Sequence, residues 1–365
     1  MRVGIVTDAF PPEVGGIQTF ADQYVSHLAA ADEVDHVEVL AFVPGADKRR
    51  DGASIRRVDR ENTPAKFATG LRWATNHEFD ILHSLTLYPG GLIAALYGRI
   101  NPAVNTYATV YGLDAISVAD HPILGPVHRF IFASLDEVLF FSDSTREKTH
   151  DTYDTAFASR RIYPGAPVFP DDPGPDPLAD RDLPHAEFVV VTVARLVERK
   201  GIDDLVAGVA ACDDIALWIV GDGPERASLE AQVPDHAADR IAFLGEIDHD
   251  SLPHVYRRAD AFCMPSVYLR DEGDVEGLGL VFLEAQQFGL PVIGTRSGGV
   301  PEALVDGETG FLVDERSPDE IAECIANLRD DDARYREFSS NAMSFVAEQF
   351  AWEDCVTNHL AAYQS

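Results

Sequence analysis

Two glutamates, Glu276 and Glu284, enclose the run Gly277-Leu278-Gly279-Leu280-Val281-Phe282-Leu283. Glycines ahead of a helix expose backbone N–H groups at its positive end, a site suited to phosphate or sugar oxygens. Glu276, in the loop before that helix, suits hydrogen bonds from sugar hydroxyls; Glu284, a little over one turn past the glycines, suits the paired hydroxyls of a ribose. Such a pair also fits glycoside hydrolysis, and in an acidic chain it is often just one surface and one capping residue. The run Arg195-Leu196-Val197-Glu198-Arg199-Lys200-Gly201 adds a guanidinium at Arg195 and an ammonium at Lys200, able to grip a diphosphate that a hydrolase would not need. A solvated charge run is the plainer alternative.

Gly221-Asp222-Gly223-Pro224 and Thr295-Arg296-Ser297-Gly298-Gly299-Val300-Pro301-Glu302 are further strand-to-helix turns, with glycines for close backbone approach and a proline for the first helical turn. The GxGxxG dinucleotide fingerprint is absent, which disfavours a nicotinamide enzyme. No metal constellation stands out. Asp180-Arg181-Asp182 and Asp248-His249-Asp250 are DxD matches that so aspartate-rich a chain produces by chance.

These loops need strands and helices to hold them. Apolar, β-branched runs predict strands at 2–7, 37–43, 79–84, 103–110, 137–141, 188–194, 215–220, 241–244, 261–264 and 291–294. Helical spacing predicts helices at 17–31, 203–211, 225–232, 252–258, 279–288 and across 334–365. Alternation of the two predicts an α/β fold with parallel sheets covered on both faces. Prolines 164, 167, 170, 173, 175, 177 and 184 cannot continue either element and mark a linker. The expected layout is therefore an N-terminal domain over 1–165, a linker over 166–184, a donor domain over 185–340, and helices 341–365 returning to the first domain.

Of 365 residues, 61 are acidic and 29 basic, for a net charge of -32. A surface this negative repels nucleic-acid phosphates, so no nucleic-acid partner is expected. Four of the basic residues are lysines, and this aspartate-rich, lysine-poor surface fits a protein of concentrated salt, where charges are screened. The apolar content of 46% supports folded domains rather than disorder. Neither a signal peptide nor a spanning segment is visible. Cys212, Cys263, Cys324 and Cys355 lie far apart and suit reduced cytoplasmic thiols.

Taken together, these segments resemble the retaining nucleotide-sugar glycosyltransferases of family four, which have the GT-B architecture of two doubly wound Rossmann-like domains facing each other across a cleft. The likeness runs through Gly15-Gly16, Phe141-Ser142-Asp143-Ser144, Arg195 to Gly201, Gly221 to Pro224, Phe243-Leu244-Gly245, Ala259-Asp260 to Pro265-Ser266, Glu276 to Glu284, and Gly289-Leu290-Pro291-Val292 to Glu302. It implies that Arg195 and Lys200 neutralise the leaving diphosphate, that Glu276 contacts the donor sugar and that Glu284 binds the ribose. Backbone amides around Gly277, Leu278, Gly279 and Leu280 would hold sugar and phosphate, with Gly15 and Gly16 approaching the diphosphate from the other domain. The nucleobase would lie near Gly221, Gly223, Gly245 and Ile247. One departure is Tyr111, in Thr109-Val110-Tyr111-Gly112-Leu113-Asp114, where the family usually presents a histidine. A tyrosine there serves as a neutral sugar contact, with Asp114 a second polar contact or a structural residue.

The resemblance implies transfer of a hexose from a UDP- or GDP-linked sugar to a lipid, lipid-linked or glycan acceptor, with retention and with neither metal nor cofactor. A non-catalytic nucleotide-sugar binder and an epimerase on the same fold are the alternatives. Residues 48–60 hold six cations (Lys48, Arg49, Arg50, Arg56, Arg57, Arg60) against Asp51 and Asp59. They read as a solvated strand and loop or, more specifically, as a peripheral contact with an anionic membrane or acceptor at the cytoplasmic face.

Overall fold

The computed structural model describes every residue except Asp51, Arg60, Glu61 and His185, and the backbone alone at Leu113 and Asp114. The expectations for Asp51, Arg60 and the Asp114 side chain therefore lie outside the described residues. The chain forms two compact units, Met1–Pro167 with Phe350–Ser365, and Val168–Gln349.

Among the described residues eight strands make the first unit's sheet: β1 (Arg2–Thr7), β2 (His36–Ala41), β3 (Lys48–Arg50), β4 (Ala53–Arg57), β5 (Ile81–Ser84), β6 (Asn105–Val110), β7 (Glu137–Phe140) and β8 (Ser159–Arg161). Their order is β3-β4-β2-β1-β5-β6-β7-β8. All pairings are parallel but one: β3 runs antiparallel to β4, with Lys48 opposite Ile55. The parallel sheet expected from the sequence thus carries one antiparallel strand at its edge. A two-residue connection between β4 and an all-charged edge strand permits only a hairpin, and lysine and arginine on the edge discourage further pairing.

Successive side chains of a strand point to opposite faces, so each strand supplies two cores. On one face Leu82 of β5 joins Trp73, Ile93, Ile131 and Phe132 from helices Thr63–Thr75, Leu92–Ile100 and Leu124–Phe132. On the other, its neighbour His83 meets Tyr24 of helix Gly16–Ala29 and Tyr363 of helix Trp352–Tyr363. The last helix is thus part of the first unit's core.

The second unit has β9 (Phe188–Val193), β10 (Ile215–Val220), β11 (Ile241–Gly245), β12 (Ala261–Met264), β13 (Val292–Thr295) and β14 (Gly310–Val313), ordered β11-β10-β9-β12-β13-β14 and parallel throughout. Val190, Leu217, Ile219, Cys263 and Ile293 face Leu205, Val209, Ile321 and Ile325 of helices Ile202–Ala210 and Pro318–Asp330. Phe262, one residue before Cys263, packs edge-on to Phe282 of helix Leu280–Gln287 at 5.2 Å. Strand order reverses between β9 and β12. At such a point the loops leaving the carboxyl ends part in opposite directions and open a crevice for ligands.

Candidate active site

The loops that follow β9 and β12 flank that reversal, and they carry the principal candidates. Backbone contacts lace them to each other and to the loop after β13: Val267 N–H donates to the Arg199 carbonyl at 2.8 Å, and Gly299 N–H to the Glu276 carbonyl at 3.0 Å. Two glycines make this fit possible. Gly201, at φ 62°, lies so close to the Pro265 carbonyl that a Cβ would sit 2.1 Å from its oxygen. Gly298, at φ 58°, would place a Cβ 2.3 Å from the Glu276 carbonyl oxygen. Neither contact could be relieved by rotating a side chain.

Inside this frame Lys200 Nζ lies 2.6 Å from Glu276 Oε2 and 3.5 Å from Met264 Sδ. Arg199 Nη1 donates to the same Oε2, and Ser266 Oγ approaches it at 3.4 Å. Arg199 Nε stands 2.8 Å from Asp274 Oδ1, oriented as an ion pair and not as a hydrogen bond. Lys200 and Glu276 each keep only 12% of their side chains exposed. Burial would raise the Glu276 carboxyl, but Lys200 and Arg199 outweigh it and hold the group at about 2. For Lys200 burial prevails over the attraction of Glu276, and its ammonium is shifted down. Burial, with the Glu276 charge beside it, raises Asp274 despite Arg199. Four charged groups therefore balance as two cations against two carboxylates.

Sequence reasoning named Lys200 and Glu276, and the fold brings them into contact. It did not name Arg199 or Asp274, although Arg199 sits in the motif itself. Arg195 is exposed and, among the described residues, its guanidinium makes no hydrogen bond or ion pair, while its carbonyl accepts from Val197 N–H at 2.9 Å. Its loop is nevertheless fixed, since Leu196 N–H donates to the Asp222 carbonyl at 2.9 Å and Glu225 N–H to the Leu196 carbonyl at 3.1 Å. The next turns are tied in the same way, Gly221 N–H donating to the Gly245 carbonyl at 2.8 Å. Gly221, Gly223, Gly245 and Ile247 thus share one rim of the second unit's sheet.

Gly279 takes a left-handed conformation directly before helix Leu280–Gln287, with Gly277 and Leu278 leading into it. Glu284 projects inward from that helix and is 3% exposed. Tyr256 Oη donates to its Oε2 at 2.8 Å, while His249 Nε2 lies 3.6 Å from Oε1, an ion pair beyond hydrogen-bond reach. The His249 ring stacks on Phe169 at 4.6 Å. Burial lowers the affinity of His249 for a proton, yet Glu284 and Asp250 together raise it above its ordinary value. Neither His249 nor Tyr256 was legible as a site residue, since the one stood in a chance DxD match and the other in an apolar helix.

In the first unit, Gly15 and Gly16 begin helix Gly16–Ala29 in the loop after β1, beside the reversal of strand order between β1 and β5. Tyr111 follows β6 directly and packs edge-on to Phe141 at 4.8 Å. Within the cationic segment, Arg50 is committed to Asp22 and Ser26, and Arg57 to the Ala46 and Pro11 carbonyls. Lys48, Arg49 and Arg56 are exposed.

The sequence pattern of the family "Glycosyl transferases group 1" matches residues 178–345. Over 96% of its length the chain is 32% identical to the GDP-mannose-dependent alpha-(1-6)-phosphatidylinositol monomannoside mannosyltransferase of Mycobacterium tuberculosis, covering 95% of that protein. The chain belongs to the group 1 glycosyltransferases. Its fold agrees: sucrose-phosphate synthase of Thermosynechococcus elongatus superposes over 100% of this glycosyltransferase and 98% of itself with a TM-score of 0.79 at 23% identity. Anabaena HepE, solved with UDP and glucose, gives 0.76 at 18% identity, with coverage of 100% and 99%. Both sheets of this glycosyltransferase are those of the Rossmann-like GT-B domains. Among its described residues no helix is long and apolar enough to cross a membrane.

Proposed function

We propose that this glycosyltransferase moves mannose from GDP-mannose to a phosphatidylinositol-mannoside-type lipid acceptor, with retention of the anomeric configuration and without a metal. The observation that carries the reading is the buried contact between Lys200 and Glu276 at the reversal of strand order, directly before helix Leu280–Gln287. Departure of a nucleoside diphosphate builds negative charge on its outer phosphate. Lys200, Arg195 and the first N–H groups of the helix supply fixed positive charge for it. The ionised Glu276 faces the sugar, whose carbon gains positive character as the bond breaks. Glu284, with its Tyr256 partner, binds the ribose, and the rim of Gly221, Gly223, Gly245 and Ile247 takes the base. Mannose and the lipid acceptor are favoured because the mycobacterial relative, similar over nearly the whole chain, bears them in its name.

The acceptor reading extends to the membrane. Lys48, Arg49 and Arg56 leave their charges to solvent and suit an anionic lipid surface at the cytoplasmic face. The acidic remainder of the surface suits concentrated salt. The test is transfer of radiolabelled sugar from GDP-mannose, UDP-glucose or ADP-glucose into vesicles containing phosphatidylinositol monomannoside in molar KCl, with and without chelator. Label in the lipid from GDP-mannose, indifferent to chelator and α-linked by proton NMR, is expected. No transfer and no thermal shift with any donor would refute the reading. Vesicle sedimentation that is equal for wild type and for the triple variant Lys48→Gln, Arg49→Gln, Arg56→Gln would refute the membrane contact.

A further inference from the structure

Glu276 has two carboxylate oxygens, and the protein treats them unequally. Lys200, Arg199 and Ser266 all converge on Oε2. Among the described residues none donates to Oε1, and part of the side chain remains exposed. A carboxylate can rotate about its last bond, and with one donor on each oxygen it would present both alike. Three donors crowded on one oxygen fix the plane and leave the other as a single, directed acceptor.

Arg199 is the member of this set that the diphosphate does not need. It stands between two carboxylates, its Nη1 on Glu276 and its Nε beside Asp274. Asp274 and Leu269 close a short backbone loop through paired contacts, Leu269 N–H to the Asp274 carbonyl at 2.9 Å and Asp274 N–H to the Leu269 carbonyl at 3.2 Å. The residue is therefore held along its length, by its backbone carbonyl against Val267 N–H, by Asp274 beside Nε and by Glu276 at the terminal Nη1. A planar fork of donors suits this double duty and an ammonium does not.

We infer that Arg199, anchored by Asp274, is a positioning residue that locks Glu276 through Oε2 and so directs Oε1 at a hydroxyl of the donor sugar. The inference rests on the reading of Glu276 as the sugar contact. Arg199 acts only through that carboxylate, and its worth therefore vanishes when the carboxylate is gone.

A double-mutant cycle with GDP-mannose as donor tests this. Arg199→Ala is expected to lower kcat by about tenfold or more, Arg199→Lys to recover part of that loss, and GDP to stabilise both variants as it does the wild type. In a Glu276→Gln background the same Arg199→Ala change is expected to cost less than about twofold. An equal cost in both backgrounds, or no cost in the wild type, overturns the inference. Where Arg199→Ala does not fold, Asp274→Asn takes its place in the cycle with the same expected pattern. A wild-type protein that transfers no sugar and is not stabilised by GDP overturns the underlying reading instead, and the inference falls with it.

Discussion

Each unit buries a polar cluster, and the two are built on opposite terms. Beneath the first unit's sheet, His83 Nδ1 meets Tyr363 Oη at 2.6 Å and its Nε2 meets Thr109 Oγ1 at 2.8 Å, while Tyr24 Oη and Tyr363 Oη share a proton contact at 2.7 Å. Burial drives His83 well below its ordinary range, with His359 nearby adding to the effect, and drives Tyr24 well above its own. The network is therefore neutral, and both ring nitrogens of His83 are engaged. The second unit's cluster of Lys200, Arg199, Asp274 and Glu276 is ionic and keeps an open oxygen. Burying paired charge gains little stability over apolar packing. A neutral network joins elements at small cost, whereas an ionised one with a vacant acceptor is fitted to meet a ligand.

That contrast is sharpest in activity. Lys200→Ala is expected to reduce turnover by about two to three orders of magnitude, as loss of a preorganised charge partner does, read from initial rates of sugar transfer. A loss below tenfold would put the ionic cluster on the same structural footing as the neutral one.

Acid should take the two clusters apart in order. His359 and His128, both in the first unit, are held at about 4 by burial, against an ordinary 6.5. Their unfolded forms bind protons first, so the stability they confer is complete above pH 6.5 and drains away as the pH falls towards 4. Glu276, at about 2 against 4.5, loses its contribution only below pH 4.5. Chemical denaturation followed between pH 7 and 5 should weaken the first unit and spare the second; the reverse order would contradict the assignment of charge.

Tyr363→Phe leaves His83 Nδ1 and Tyr24 Oη without their partner and is expected to cost about 1–3 kcal/mol, measured by urea unfolding, with GDP-induced stabilisation unchanged. The smallest effect belongs to His249. Its raised proton affinity stabilises the fold fully below pH 6.5 and fades as the pH rises through its folded value, so His249→Gln should lower the melting temperature at pH 6 and scarcely at pH 9.

The sheet interiors were readable because buried parallel strands are unbroken apolar runs: β10, Ile215–Val220, and β12, Ala261–Met264, fall where the sequence places them. The first sheet's edges were not: β3 is Lys-Arg-Arg and β8 is Ser-Arg-Arg, so neither shows the apolar pattern of a strand. At the site, Lys200 and Glu276 stood out by spacing. Arg199 did not, because one arginine in a chain rich in them looks like a solvated charge until the loops after β9 and β12 fold against each other. Tyr256 was hidden for the opposite reason: an aromatic at helical spacing reads as core, and it is core, with its hydroxyl turned to Glu284.

Helix Trp352–Tyr363 fills one face of the first unit, its Trp352 Nε1 bonded to the Ala166 carbonyl and its Tyr363 to the His83 ring. During synthesis the first 167 residues must therefore wait for the last ones, while the roughly 180 intervening residues form a contiguous unit of their own. At about 5–20 residues per second the delay is on the order of ten to forty seconds. The part of the chain made first is the part finished last, and through that interval the ribosome carries a half-covered sheet that chaperones could recognise.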